Sequence, residues 1–510
     1  MKRPLRVCSL LLFASFIVSQ FAACSSGGET ASGKPSSSPA SSSAGTDPGS
    51  ADSPSSSEPE VDVDPNANVQ KDFGQKTFTI ASLWSGSLNP KYGTSEWGDK
   101  LLDHYAALEK KYNCKIAFKA ISSYSQFITD FNAAMLAGNY YADIVECQLW
   151  QGREWTRKGY FAKLNGLESL DINSKKFMAS KTELSKYDGD YYGTDFTSWY
   201  FRYINFNQGG MLFNTRLLKS INEDPYLLIE EGSWTPAKFR ELAKKLTQDT
   251  NGGNVTDIWG IAGCEWRGPL WATGKYPAVW DAGKNKWVFG QAEPIIYNTM
   301  QWLLDMMYTD KSVSFDWVRT SPHYGASELF AKGKAAFIPM DMEWLTYGDE
   351  DVSWFLDMND DYGFIPYPLA DGNDSGEYVG RFGGEIRLFY IPTTAVKDAD
   401  KTIEDIAFFF DRMTTPLPGT NSESWKEYAR DELFRGNQKS FDWYLKMLTN
   451  AEFDHSVDMG SLQLIPYETT LNNTFFDRKH TPAQAIEIEH EAFNTYLDQY
   501  VNNDPKLLLE

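Results

Sequence analysis

Periodic hydrophobic positions begin near Lys76 and continue to about Tyr500. Phe78 to Trp84 reads as a strand, and Gly98 to Tyr112 as a helix with Leu101, Leu102, Tyr105 and Leu108 along one face. A second strand (Cys114 to Ile121), a second helix (Phe127 to Ala137) and a third strand (Ala142 to Val145) follow. Strands that alternate with helices predict an α/β body with a mainly parallel sheet covered on both faces. In such sheets ligands gather beyond the carboxyl ends of the strands. That rule puts the loops at Trp84 and at Gln148–Trp150 on one edge.

Ile204 to Asn207 alternates apolar and polar, breaks at Gly209-Gly210 and resumes apolar through Met211-Leu212-Phe213. A glycine pair in an extended segment suits a chain crossing from one packed body to another, or an ordinary strand of one domain. Thr235 is placed to cap a helix with Pro236 at its first position. Phe239, Leu242, Ala243 and Leu246 then repeat at helical spacing. Further helices are predicted at Tyr297–Tyr308, Ser327–Ala331 and Ala399–Met413. A last one starts at Thr481-Pro482, with Ile486, Phe493, Leu497 and Tyr500 on one side. A chain of 510 residues has room for two or three compact units.

The first residues follow a different pattern. Lys2, Arg3 and Arg6 precede an apolar run, Val7 to Val18, that is too short to span a membrane as a stop-transfer helix. Phe21-Ala22-Ala23-Cys24 resembles a lipoprotein cleavage box, with Phe21 where Leu is usual. Residues 1–23 are therefore expected to be a signal peptide and Cys24 the mature, lipidated N-terminus, with palmitate-type chains. Two acyl chains hold a protein stably at a bilayer where one does not. A plain secretory signal with an incidental Cys is the alternative. From Cys24 to Asp72 the chain is Ser, Pro, Ala and Gly with acidic residues, too polar to support a core. It reads as a disordered tether with an end-to-end distance of about 35–40 Å. The expected location is the outer face of the cell membrane, in a bacterium of Gram-positive type.

Net charge is −21, which argues against a nucleic-acid partner and against binding of the folded part to an anionic membrane surface. All 17 tryptophans lie at or beyond Trp84; most belong to a core and a minority to a cleft, where flat rings suit apolar ligand faces. Cys114, Cys147 and Cys264 are too few and too scattered for a disulfide framework or a zinc site, and a Cys114–Cys147 bridge is left open.

The stretches "GGMLFNTRLL", "DPY" and "GSWTPAKFRELAKKLTQDTNGGNVTDIWGIAG" resemble the crossover and following helix of family 1 extracellular solute-binding proteins. "ADIVECQLWQGREWTRKGYFAKL" is similar to that family's third strand and ligand loop, and "YDGDYYGTDF" to its "DGKxYGxP" hairpin. "GKAAFIPMDMEW" is similar to "GKAAMxxxGxW", without its glycine. "YGFIPYPLADG", "GRFGGEIRLFYIPTTAVKDAD" and the "TPxEAL"-like end helix follow in family order. The likeness spans roughly Thr77 to Tyr500. It implies a two-lobed, periplasmic-binding-protein-like fold of type II. Each lobe would be a mainly parallel sheet flanked by helices, and several crossing segments would join them. The implied division is 73–204 plus 346–415 for lobe 1 and 205–345 plus 416–510 for lobe 2.

The resemblance also implies function: a monomer that captures a solute, most often a mono- or oligosaccharide, and delivers it to the permease subunits of an ABC importer, without a cofactor. Together with Trp84 from the strand-end rule, it makes Gln148, Trp150, Trp199, Trp266, Trp271, Asp341, Glu343, Trp344 and Arg381 the candidate ligand-binding residues. Glu146 is a weaker candidate, and Arg381 and Glu385 have a surface ion pair as their alternative. Trp155 and Trp287 are expected in the core. Asp249 to Asp257 looks like an EF-hand-like family loop, but Gly253 and Gly260 stand where calcium ligands are usual, so a plain Asx turn is expected.

No G-x-S-x-G, GxxxxGK[ST] or H-E-x-x-H occurs, and the five histidines are scattered. Asp341 and Glu343 at i, i+2 do not suit a glycosidase pair. An enzyme is therefore not expected. A glycan-processing enzyme or adhesin of the same fold, or capture of a peptide or polyamine, are the alternatives.

Overall fold

The computed structural model describes residues 68–199, 209–314, 322–340, 355, 358–382, 386–397, 401–453 and 465–503. In chain order the first elements are β1 (Lys76–Ser82), α1 (Glu96–Tyr112), β2 (Cys114–Lys119), α2 (Tyr124–Ala137), β3 (Ile144–Gln148), α3 (Leu149–Arg157) and β4 (Gly193–Thr194). α1 starts where Ser95 Oγ accepts from Gly98 N at 3.1 Å. It buries Leu101, Tyr105, Leu108 and Tyr112, the apolar stripe of the sequence.

Next come β5 (Gly210–Asn214), α4 (Pro236–Lys245), β6 (Trp259–Ala262), α5 (Arg267–Trp271), α6 (Pro294–Leu304), β7 (Val313–Ser314), α7 (Pro322–Ala331), β8 (Ala335–Met340) and β9 (Tyr362–Pro366). The Gly209-Gly210 pair has a physical reason. Gly209 sits at φ 102°, and a Cβ on Gly210 would lie 2.3 Å from the Phe364 ring. Thr235 Oγ1 caps α4 by accepting from Lys238 N at 3.2 Å, with Pro236 at the first position. The chain then forms β10 (Arg381–Phe382), β11 (Arg387–Tyr390), α8 (Ile403–Met413), α9 (Gln438–Thr449), β12 (Glu452–Phe453), α10 (Tyr467–Phe475) and α11 (Pro482–Tyr496).

Two five-stranded sheets result. The first has the order β2-β1-β3-β11-β4 and the second β7-β6-β8-β5-β9. Each holds one antiparallel strand next to an edge, β11 in the first and β5 in the second. β11 joins the first sheet only after the chain has built the second. This exchange of strands makes a two-lobed α/β fold. One expected boundary is corrected here. Tyr362–Pro366 was expected with lobe 1, yet β9 pairs with β5 in the second sheet. Its five consecutive buried residues suit a strand covered on both faces.

α1 and α8 cover one face of the first sheet, where Phe78 and Phe409 stack at 4.2 Å. α2 and α3 cover the other, with Phe131 and Trp155 at 4.2 Å. Lys401, before α8, is fully buried and reaches Asp143 Oδ1 at 2.7 Å, tying the helix to the sheet. The second sheet carries Phe239, Leu242, Trp266, Met300 and Phe475 on one face and α9 on the other, where Phe364 N donates to Ser440 Oγ at 2.9 Å. Trp155 and Trp287 are buried, as expected.

The Cys114–Cys147 bridge does not form; both thiols are free and buried. Cys114 pairs with Lys76 at the start of β1, whereas Cys147 lies beyond Ile144, which pairs with Ile80. The two therefore sit near opposite ends of strands separated by β1, far outside the roughly 7 Å Cα limit of a disulfide.

Candidate functional site

A cavity of about 450 Å³ opens in the second lobe. α5 and the turn behind it, through Trp271, Thr273, Lys275 and Tyr276, form one wall. Tyr367 and the loop from Gly372 to Val379 form the facing wall, and Arg381 and Glu452 close the end. Gly268 lets α5 lie against Tyr367, since a Cβ there would meet the ring at 2.3 Å. Asn373 Nδ2 and Ala370 N both donate to Ala272 O, at 2.8 and 3.1 Å, and clamp the loop to the helix end. Arg381 is 1 % exposed; its guanidinium lies 4.2 Å from the Tyr276 ring centroid and is ion-paired with Glu452. Tyr378 stands edge-on to Trp443 at 5.3 Å. Burial pushes the hydroxyl of Tyr367 well above the ordinary phenol range, so it stays neutral.

In the first lobe a second group gathers at the carboxyl ends of β1 and β3. Ser82 Oγ accepts from Trp84 N at 2.9 Å and donates to the buried Glu146 at 2.5 Å, which fixes the loop after β1. Gln148 Oε1 accepts from Trp150 Nε1 at 2.8 Å and from the Tyr124 hydroxyl at 2.5 Å. Arg387 is the β11 residue directly opposite Gln148, and its guanidinium lies 4.1 Å from the Trp84 ring centroid.

The two groups are physical neighbours. Arg153 stands one helical turn beyond Trp150 on α3, and its guanidinium lies 4.9 Å from the ring of Phe453, next to Glu452 in β12. Arg381 and Arg387 are six positions apart, so their Cα atoms lie within about 20 Å. A first-lobe wall of directional polar groups thus stands beside a second-lobe hollow of rings and mixed charges.

Of the sequence candidates, Trp271 and Arg381 line the cavity, and Trp84, Gln148 and Trp150 stand half-buried at the first-lobe edge. Two are corrected. Trp199 is fully buried, packed edge-on against Phe196 at 4.7 Å and Tyr105 at 6.1 Å under α1. Trp266 is 3 % exposed, donates from Nε1 to Asn472 Oδ1 at 3.2 Å and packs on Tyr467. Trp199 fills an apolar core, and Trp266 is held in the second-lobe interior by Asn472 and Tyr467, with the Arg267 guanidinium 4.4 Å from its ring centroid. Asp341, Glu343, Trp344, Glu385 and Cys24 lie outside the described residues. Glu146 is buried and acts on the site through Ser82. In the 249–257 loop Asp249 accepts from Gly252 N, Gly253 N and Asn254 N, and Asp257 from Thr250 N, the Asx-type arrangement.

Sequence reasoning missed Tyr124, Tyr276, Asn373, Tyr378, Arg387 and Glu452. One signal was available. Asp371 to Gly376 is a run of turn-forming residues flanked by Tyr367 and Tyr378, the composition of a loop that presents rings. Arg387 and Glu452 carried none, because cross-strand partners set their positions.

Among the described residues no helix is long and apolar enough to cross a membrane. No curated protein sequence matches the chain. Solved structures do match, at identities that speak for the fold alone. The GacH receptor of Streptomyces glaucescens, described without ligand and with acarbose, aligns with a TM-score of 0.56 at 14% identity, over 84% of this chain and 99% of that one. Maltose-bound MalE3 of T. maritima gives 0.55 at 16% identity, over 82% and 100%. The substrate-binding protein Lmo0181 of Listeria monocytogenes, in complex with cycloalternan, gives 0.53 at 15%, over 83% and 99%. A family profile described as bacterial extracellular solute-binding protein matches residues 92–415, well over half of the sequence. With the exchanged strands and the two facing walls, that match identifies the chain as a member of the bacterial extracellular solute-binding protein family.

Proposed function

We propose that this protein captures a saccharide between its two lobes and hands it to an ABC importer from the outer face of the cell membrane. The observation that carries this reading is the second-lobe cavity, where Trp271 and Tyr378 stand among Lys275, Asn373, Asp374 and Glu377. Rings against the apolar face of a sugar, with polar groups at its rim, are what a polyhydroxylated ring requires. The sugars named with the GacH receptor, MalE3 and Lmo0181 support the same class. Asp341, Glu343 and Trp344, which follow β8 in sequence, belong to this site in our reading. Cys24, lipidated, and the acidic segment to Asp72 hold the folded part off the bilayer as a tether.

Ligand touching both lobes favours the closed arrangement, and shape is the signal a permease reads. A polar group left unpaired in the closed cleft costs about 1–3 kcal/mol, so specificity follows the placement of donors and acceptors. Calorimetry over a panel of mono- and oligosaccharides tests the reading. At least one is expected to bind, and Trp271→Ala to weaken it by 100-fold or more, an amount equal to about 2.7 kcal/mol. Tyr378→Ala probes the same hollow if the first variant does not fold. A panel without any binder, or unchanged affinity in both folded variants, would contradict it.

A further inference from the structure

Building on the saccharide reading, we infer that Trp443 of α9 is a positioning residue for guest binding: it stands behind the cavity wall and holds the Tyr378 ring at the angle at which that ring meets the sugar. Tyr378 lines the second-lobe cavity, whereas Trp443 does not. The two rings lie 5.3 Å apart with 84° between their planes, an edge-to-face pair. Tyr378 sits between β9 and β10 on a segment without helix or strand, and residues 374–377 just before it are exposed. Among the described residues its hydroxyl makes no hydrogen bond, so packing sets the direction of the ring.

α9 is a firm base for that contact. Asn437 Oδ1 caps it by accepting from Ser440 N at 3.1 Å, and Ser440 Oγ accepts from Phe364 N at 2.9 Å, which fixes the helix to β9. Ser440, Trp443 and Met447 recur at i, i+3 and i+7, on one helical face. Met447 O accepts from Gly380 N at 3.1 Å, and Gly380 O accepts from Glu452 N at 3.0 Å. The backbone two residues beyond Tyr378 is thus pinned to the same helix whose Trp443 meets its ring. What the backbone leaves open is the side-chain torsion of Tyr378, and the indole closes it. Lys446 Nζ lies over that indole, 4.7 Å from its centroid, and steadies Trp443 in turn. A ring already set in its bound direction gives up little rotamer freedom when the guest arrives, and that saving appears as affinity.

The test is a double-mutant cycle read by calorimetry on the whole folded chain, with the tightest-binding sugar of the panel. Trp443→Ala is expected to weaken binding about 3- to 10-fold, the worth of an edge-to-face ring pair. In a Tyr378→Ala background the same change should cost about twofold or less, because the ring it directs is gone. Trp443→Phe keeps a ring for Tyr378 to pack on and should recover most of the loss. Trp443→Leu keeps apolar volume without the ring and should bind as Trp443→Ala does; it carries the cycle where the alanine variant does not fold. Circular dichroism and melting temperature establish that each variant is folded. Unchanged affinity in the folded variants, or an equal loss with and without the Tyr378 ring, would overturn the positioning role while leaving the saccharide reading intact. Failure of every sugar to bind the unmutated protein would overturn both.

Discussion

The two lobes hold the groups we propose for recognition in different ways. At the first-lobe edge the groups sit on strand ends, and hydrogen bonds from neighbouring elements lock them: Trp84 through Ser82, and Gln148 through Trp150 and Tyr124. In the second lobe the groups sit on a short helix and on turns, clamped by backbone contacts at Ala272. A locked polar wall selects by direction, because a misplaced donor cannot move to meet its guest. A wall of rings on turns supplies contact area and shape. Changes in the first lobe should therefore alter which guest is chosen, and changes in the second how tightly any guest is held.

Buried acids repeat the contrast. Asp143 in the first lobe is met by Lys401, both with fully buried side chains. Glu489 in the second is 2 % exposed and makes no ion pair among the described residues. Burial pushes its pKa up to about 7, against the opposing pull of the Thr470 hydroxyl.

The largest effects should come from the packed interior beneath each wall. Lys401→Met leaves Asp143 buried without its cation and is expected to cost about 3–5 kcal/mol in denaturant unfolding. Trp266→Ala opens a cavity and is expected to cost a similar amount, about 3–5 kcal/mol, while saccharide affinity of the folded fraction stays within a few-fold. Equal stability with lost binding would move Trp266 from the core to the site. A smaller effect concerns Glu489. Its folded pKa of about 7 exceeds the ordinary 4.5, so the folded state holds the extra proton. The stabilisation is complete below about pH 4.5 and is lost as pH rises toward 7. Glu489→Gln should therefore be the more stable form at pH 8, by about 3 kcal/mol, with the gain vanishing near pH 4.5. A gain that does not vary with pH would contradict the buried, proton-holding state. Smallest is Arg153→Ala, which removes the contact with Phe453 together with the hydrogen bond from Nε to Leu184 O. About 0.5–1 kcal/mol of stability should go, with no change in which sugar is preferred.

The same contrast governs how much could be read in advance. The alternation of strands and helices through the first lobe is plain in the sequence, because its helices carry an apolar stripe and a capping residue such as Ser95 or Ser123. The position of Gln148 and Trp150 at the end of a strand was legible because they follow a buried run. Trp199 and Trp266 were misread because a tryptophan near a crossover looks the same whether it fills a core or lines a cleft. Only the partners supplied by distant elements, Tyr105 for one and Asn472 and Tyr467 for the other, tell them apart. Arg387 was passed over for a related reason. Its meaning comes from facing Gln148 across two strands that lie more than 200 residues apart in sequence, a register no local pattern encodes.

The central claim is that one guest touches both walls. A crystal structure of the protein saturated with the tightest-binding sugar of the panel tests it most directly. The expected result is density for the sugar in contact with Trp271 and Arg381 on one side and with Gln148 and Arg387 on the other. Density confined to a single lobe, or lying away from both walls, would contradict it.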